Sequence, residues 1–176
     1  MPSLSDIAAS IERAKRVFRA RPSEGLHDDS LVQARWVRGT RIAARHANGT
    51  EFETDMPAGL GGSGDRVTPG WLLRAGVATC LGTTVAMTAA SNGIELTTLE
   101  VTVHSRSDSR GLLGMTDADG ALIDPGFVDV HVHICIAAVD ASPDRLRALI
   151  DTAAQRSPML TALERATPVQ LRVDVA

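Results

Sequence analysis

Tyrosine is absent from this 176-residue chain, and two tryptophans and three phenylalanines bring the aromatic share to only 3%. An aliphatic core is therefore expected, and a base-stacking surface for single-stranded nucleic acid is not. Basic clusters are missing too: the net charge is −3 and the pI about 5.9, against electrostatic capture of a polyanion. Two cysteines, Cys80 and Cys135, are too few for a disulfide framework. The first residues contain no apolar run, because Asp6, Glu12, Arg13, Lys15 and Arg16 interrupt it. A secretory leader is thus not expected, and a cytoplasmic, reducing location is. The glycine-rich stretch from Gly59 to Gly64 lacks the Gly-Lys-Ser/Thr that would make it a phosphate loop, and no Gly-x-Ser-x-Gly elbow occurs.

What is present is ordinary globular material, 44% hydrophobic and 22% charged. Residues 1–30 are expected to form an N-terminal helix and linker, and residues 31–176 one domain. Ser3 and Asp6 suggest a capping box, Ile7, Ile11 and Phe18 share a helical face, and Pro22 marks the stop. Strands are expected at Val32–Arg38 and Arg41–Arg45, then a turn at Asn48-Gly49 and a short return strand. Thr68-Pro69 opens a long helix and Asn92-Gly93 closes it, with Arg74 its single charge. Thr79, Thr83, Thr84, Thr88 and Ser91 dilute its hydrophobicity, and the flanks lack aromatic belts, so a core helix rather than a membrane span is expected. A helix apolar on every side must be covered on every side, which points to a second copy of the chain.

Leu99, Val101 and Val103 alternate with Glu100, Thr102 and His104 as a strand, followed by a polar excursion from Ser105 to Gly126. Val128 to Ile136 alternate with Asp129, His131, His133 and Cys135 as another. Ser142-Pro143-Asp144 caps a helix with Leu146, Leu149, Ile150 and Ala153 on its apolar face, and Ser157-Pro158 interrupts it. Val169, Leu171, Val173 and Val175 alternate as a final strand. The order gives an α+β fold.

Three places carry candidate chemistry. Cys80 lies mid-helix; a buried inert thiol is the common case, and a nucleophilic one needs a cation to favour the thiolate. On one strand face, Asp129, His131, His133 and Cys135 form a polar row in which a His-x-His pair can grip zinc, although no third segment completes such a site. Ser157 before Pro158 reads as a helix break.

The run Thr68-Pro69-Gly70-Trp71-Leu72-Leu73-Arg74-Ala75-Gly76-Val77-Ala78-Thr79-Cys80 resembles the OsmC/Ohr pattern, in which Pro-Glu-x-Leu precedes small residues and then the peroxidatic cysteine. The similarity continues through Gly93-Ile94, Leu99-Glu100-Val101, Pro125-Gly126-Phe127, the helix from Asp140 to Leu163, and Pro168-Val169. It covers Val32 to the C-terminus. The resemblance implies an OsmC-like fold, with antiparallel sheets wrapped around a long central helix in an intertwined homodimer. It implies a thiolate that reduces organic hydroperoxides to alcohols, a resolving cysteine that closes a disulfide, a dithiol that reopens it, and an assisting arginine and glutamate. Cys80 aligns with the peroxidatic cysteine, and Arg38 or Arg41 with the arginine, Arg38 being carried forward. Ser157 stands at the resolving cysteine and Gly70 at the glutamate, and Cys135, on a strand, is a poor substitute resolver. The expectation is therefore a hydroperoxide reductase using Cys80 alone, recycled by an external thiol, with no cofactor, metal, nucleic acid or membrane. The alternative is a catalytically depleted relative that binds a small apolar ligand at the dimer interface.

Overall fold

A reciprocal cap starts the chain's first helix. The Ser3 hydroxyl accepts from the Asp6 N–H at 3.2 Å, and the Asp6 carboxylate accepts from the Ser3 N–H at 3.0 Å, satisfying two of the donors a helix start leaves open. In the computed structural model, which describes residues 3–175, this helix α1 spans Leu4–Ala20. Met1, Pro2 and Ala176, at the outer bounds of the two expected regions, lie outside the described residues. Ile7 and Ile11 are half-buried, whereas Phe18 is exposed.

Two compact units divide the chain: Ala9–Gly76, and Val77 onward together with the residues up to Ala8. In the first, β1 (Val32–Arg38), β2 (Arg41–His46) and β3 (Glu51–Thr54) form an antiparallel sheet in that order. Gly49 at φ 93° makes the β2–β3 turn, with the Asn48 carboxamide oxygen accepting from the Thr50 N–H at 2.9 Å. Ala43 and Ala44 on the middle strand are buried, and Val32 and Trp36 on β1 face solvent. After β3 the chain folds back so tightly that a Cβ on Gly62 would fall 1.8 Å from the Met56 carbonyl oxygen. Only glycine permits that approach.

Helix α2 runs Pro69–Ser91, within a residue of the expected bounds. The Thr68 hydroxyl accepts from the Trp71 N–H at 3.2 Å at its start, and Gly93 at φ 63° turns the chain at its end, where the Ile94 N–H reaches back to the Ala89 carbonyl at 2.9 Å. In the second unit, Leu81, Val85 and Ala89 of α2 form the core with Ile94, Leu146, Leu149 and Ala153. Strands β4 (Leu96–Ser107) and β5 (Phe127–Ala138) pair antiparallel, with Leu99 opposite Ile136 and Val101 opposite Ile134 packed on that core. The excursion between them holds the short helix α3 (Ser109–Leu112) and a bridge from Thr116 to Leu122. Helix α4 (Pro143–Ala154) starts as expected, the Ser142 hydroxyl accepting from the Arg145 N–H at 3.3 Å, and α5 (Pro158–Glu164) follows the Ser157-Pro158 break.

The expected final strand is not met within one chain, and α2 has only the partial cover that one chain is expected to give it. The final segment forms no strand among the described residues, and Val169, Leu171 and Val175 are 88%, 87% and 92% exposed. A strand exists only through its ladder partner, and here the alternating pattern has none. Helix α2 is covered on one side only: Val77, Leu81, Val85 and Ala89 are buried, while Thr79, Thr83, Ala86 and Met87 face outward. Among the described residues it is the one helix long and apolar enough to cross a membrane, but its buried stripe is the core of its unit.

The packing predicts an asymmetric response around α2. Leu81→Ala should lower the unfolding free energy in urea by about 2–5 kcal/mol, and Ser91→Ala, exposed in the last turn, by less than about 0.5 kcal/mol.

Candidate active site

Cys80 is half-buried on α2, and its Sγ lies 3.5 Å from the Oγ of Ser157. Ser157 is wholly buried at the head of α5. A serine there would ordinarily cap the helix with its side chain, yet Ser157 makes no such bond. Its hydroxyl is turned to the thiol instead. The α2 backbone beneath the thiol is braced by Thr84, whose hydroxyl donates to the Cys80 carbonyl at 2.8 Å, and by Thr88, which repeats the bond to Thr84 at 2.7 Å. A hydroxyl at this distance can donate to a thiolate or to an oxidised sulfur, but it cannot become half of a disulfide.

The two candidate arginines lie in the other unit and are held differently. Arg41 is buried. It bonds Asp55 at 3.1 Å, pairs with Asp65 at closer range, and lies 3.6 Å from Glu53. Hydrogen bonding to Asp55 foremost, and then these nearby carboxylates, raise its pKa further. Its guanidinium is committed. Arg38, one two-residue turn earlier, is exposed, and its side chain has no ion-pair or hydrogen-bond partner among the described residues. Arg38 lines a cavity of roughly 180 Å³ with Gly39, Thr40, Arg41, Asp55 and Gly61–Ser63. Asp55 was not visible as a site residue in the sequence, where an aspartate after a strand reads as a turn residue. Its carboxyl is held well below the usual carboxylate range, first by the Thr40 hydroxyl, then by the Ser63 and Met56 amides and Arg41, against the opposing push of burial.

Gly70, in the first turn of α2, has room for a side chain: a Cβ there would sit 3.7 Å from Arg74 Nη1 and 4.0 Å from Thr68 Oγ1. The histidine row lies on the outward face of the β4–β5 ribbon. There His131 stacks on His104 with ring centroids 4.8 Å apart, and its Nε2 is 3.4 Å from Asp129. Asp129 is itself tied to Arg106, whose hydrogen bond is the main cause of its lowered pKa. Cys135 is exposed on the same face, opposite Glu100. Among the described residues no three His, Cys, Asp or Glu side chains gather as a metal cage.

The sequence profile of the family described as OsmC-like protein matches residues 62–172. An OsmC-like protein from Mycoplasma pneumoniae has a similar structure, with TM-score 0.65 at 18% identity, covering 80% of this chain and 91% of that one. An OsmC-like protein of unknown function from Vibrio cholerae gives TM-score 0.64 at 10% identity, covering 78% and 95%. The organic hydroperoxide resistance protein OsmC of Legionella pneumophila gives 0.57 at 19%, covering 78% and 90%. At such identities these neighbours establish the fold alone. No curated protein matches the chain.

Two outcomes follow from this geometry. Ser157→Cys should form a disulfide with Cys80 under mild oxidant, since 3.5 Å needs a closure of about 1.5 Å to reach disulfide length; thiol titration would then count one free cysteine, Cys135, in place of three. Asp55 has a depressed folded pKa. Its stabilisation is therefore complete above the unfolded carboxyl value of about 3.9 and is lost as pH falls through the lower folded value. The urea-midpoint gap between the native chain and Asp55→Asn should be constant from about pH 8 to about pH 5 and shrink only below about pH 4.

Proposed function

Because this chain belongs to the OsmC-like protein family, matched over residues 62–172, we propose that it reduces organic hydroperoxides through Cys80 with no second thiol of its own. The observation that carries this reading is the 3.5 Å approach of the Ser157 hydroxyl to Cys80 Sγ. In the proposed step the Cys80 thiolate attacks the terminal peroxide oxygen and the O–O bond breaks. The leaving alkoxide takes a proton to become an alcohol, and the sulfur, oxidised by two electrons, becomes a sulfenic acid. Arg38 is assigned to stabilise the negative charge that moves onto the departing oxygen, as a guanidinium without a carboxylate partner of its own suits. Ser157 Oγ donates to the sulfenic acid but cannot displace its hydroxyl to make a disulfide. An external thiol does so, releasing water, and a second thiol frees Cys80 from the mixed disulfide.

A soluble cytoplasmic homodimer is the proposed assembly. The outward Thr79, Thr83, Ala86 and Met87 side of α2 and the unpaired apolar tail support it, since a second copy would cover the one and pair the other. A second reading is favoured by Gly70 and Ser157: with glycine at the place of the glutamate and serine at the place of the resolving cysteine, the fold would serve as a binder of small apolar molecules at the dimer interface.

One experiment separates the two. Cumene hydroperoxide with dithiothreitol as reductant should be consumed by the native protein and by Cys135→Ser, and not above background by Cys80→Ser. Absence of turnover in the native protein, with a thermal shift by the hydroperoxide's product alcohol that persists in Cys80→Ser, would select the binding role instead.

A further inference from the structure

The β1–β2 connection is two residues long, Gly39-Thr40, with Arg38 paired opposite Arg41 and Gly39 at φ 52°. The register slips between Trp36 and Arg38, a bulge of the kind that re-aims a side chain at a strand end. The turn carries the Arg38 guanidinium, which among the described residues makes no hydrogen bond or ion pair that would fix it. Its position follows from the hairpin backbone, and that backbone is held from outside the hairpin.

The holding group is one carboxylate. Asp55 Oδ1 accepts from the Thr40 hydroxyl at 2.6 Å and from the Met56 N–H at 2.8 Å. Its Oδ2 accepts from Arg41 Nη2 at 3.1 Å and from the Ser63 N–H at 3.1 Å. Each oxygen thus takes one bond from the hairpin and one from the segment around the glycine-rich loop. Asp55 is 2% exposed, so water is a poor replacement for any of the four. From within the hairpin, the one side-chain tie to the turn among the described residues is the Trp36 indole N–H donating to the Gly39 carbonyl at 2.9 Å.

We propose that Asp55 is a positioning residue for Arg38: its carboxylate clamps the Gly39-Thr40 turn to the loop at Met56–Ser63 and thereby sets where the Arg38 guanidinium is presented. The acceptor-only chemistry of a carboxylate is what the geometry requires, because all four partners are donors. An asparagine of the same shape would turn an amide NH₂ toward two of them. The inference rests on the assignment of Arg38 above.

The test is a double-mutant cycle in the full chain, read as kcat/KM for cumene hydroperoxide with dithiothreitol and, separately, as amide hydrogen exchange. Arg38→Ala should reduce kcat/KM by about tenfold or more. Asp55→Asn should give a similar loss, and the double variant should fall within about twofold of Arg38→Ala alone. Thr40→Val, which removes one of the four bonds and leaves the Arg41–Asp55 ion pair, should give a smaller loss and serves if Asp55→Asn does not fold. The alkylation rate of Cys80 should be unchanged in both. Exchange at Gly39, Thr40 and Arg41 should accelerate by about tenfold in either variant, with β4 and β5 unaffected. Multiplicative losses in the double variant, or unaltered exchange in the hairpin, would overturn the clamp. An active Arg38→Ala protein would overturn the role given to Arg38, and the exchange measurement would still decide whether Asp55 holds the turn.

Discussion

A helix without a polar side cannot be left alone in water, and α2 imposes that requirement on everything around it. Its 23 residues carry a single charge, Arg74. Burial of Val77, Leu81, Val85 and Ala89 recruits β4, β5 and α4 into one unit, and the glycine and alanine content lets those elements come close: a Cβ on Gly82 would touch Val101 at 3.7 Å. The same packing seats Ser157 against Cys80. In this sense the meeting of hydroxyl and thiol is a by-product of covering the helix.

The N-terminal unit solves a different problem with different means. Its sheet is small, and Ala43 and Ala44 give it a thin core. A charge network centred on two buried residues supplies the definition that apolar area does not: Arg41 and Asp55 are buried, Arg41 also reaches the half-buried Glu53 and the exposed Asp65, and Asp55 takes two backbone amides. Buried charges are tolerable when each is paired and hydrogen-bonded, and removing one member leaves the others stranded. Such a network ties the Gly39-Thr40 turn beside the exposed Arg38 to the segment that follows β3.

Helix ends are legible in the sequence because their causes are local. Thr68-Pro69 and Asn92-Gly93 marked α2 because a hydroxyl cap, a pre-set proline and a left-handed glycine act within four residues. Ser3 with Asp6 and Ser142 with Pro143 worked for the same reason. The tail from Val169 to Val175 has a pattern that states a capacity to pair, and pairing depends on a partner strand that the described residues do not offer. The approach of Ser157 to Cys80, across 77 residues of sequence, followed from resemblance and not from spacing. Asp55 was missed altogether, since its burial is produced by the fold-back at Gly62 and has no signature in its neighbours.

The exposed tail also bears on colloidal behaviour. A run of alternating valine and leucine that forms no strand among the described residues is a template for any strand edge, including that of a misfolded copy. Here the run is preceded by Pro168 and interrupted by Arg172 and Asp174, residues that break the flat, uncharged surface fibrils require. The chain thus carries its own gatekeepers on the segment most able to associate wrongly. They restrict what may join that edge to a surface that can also accommodate a cation, an anion and a kink.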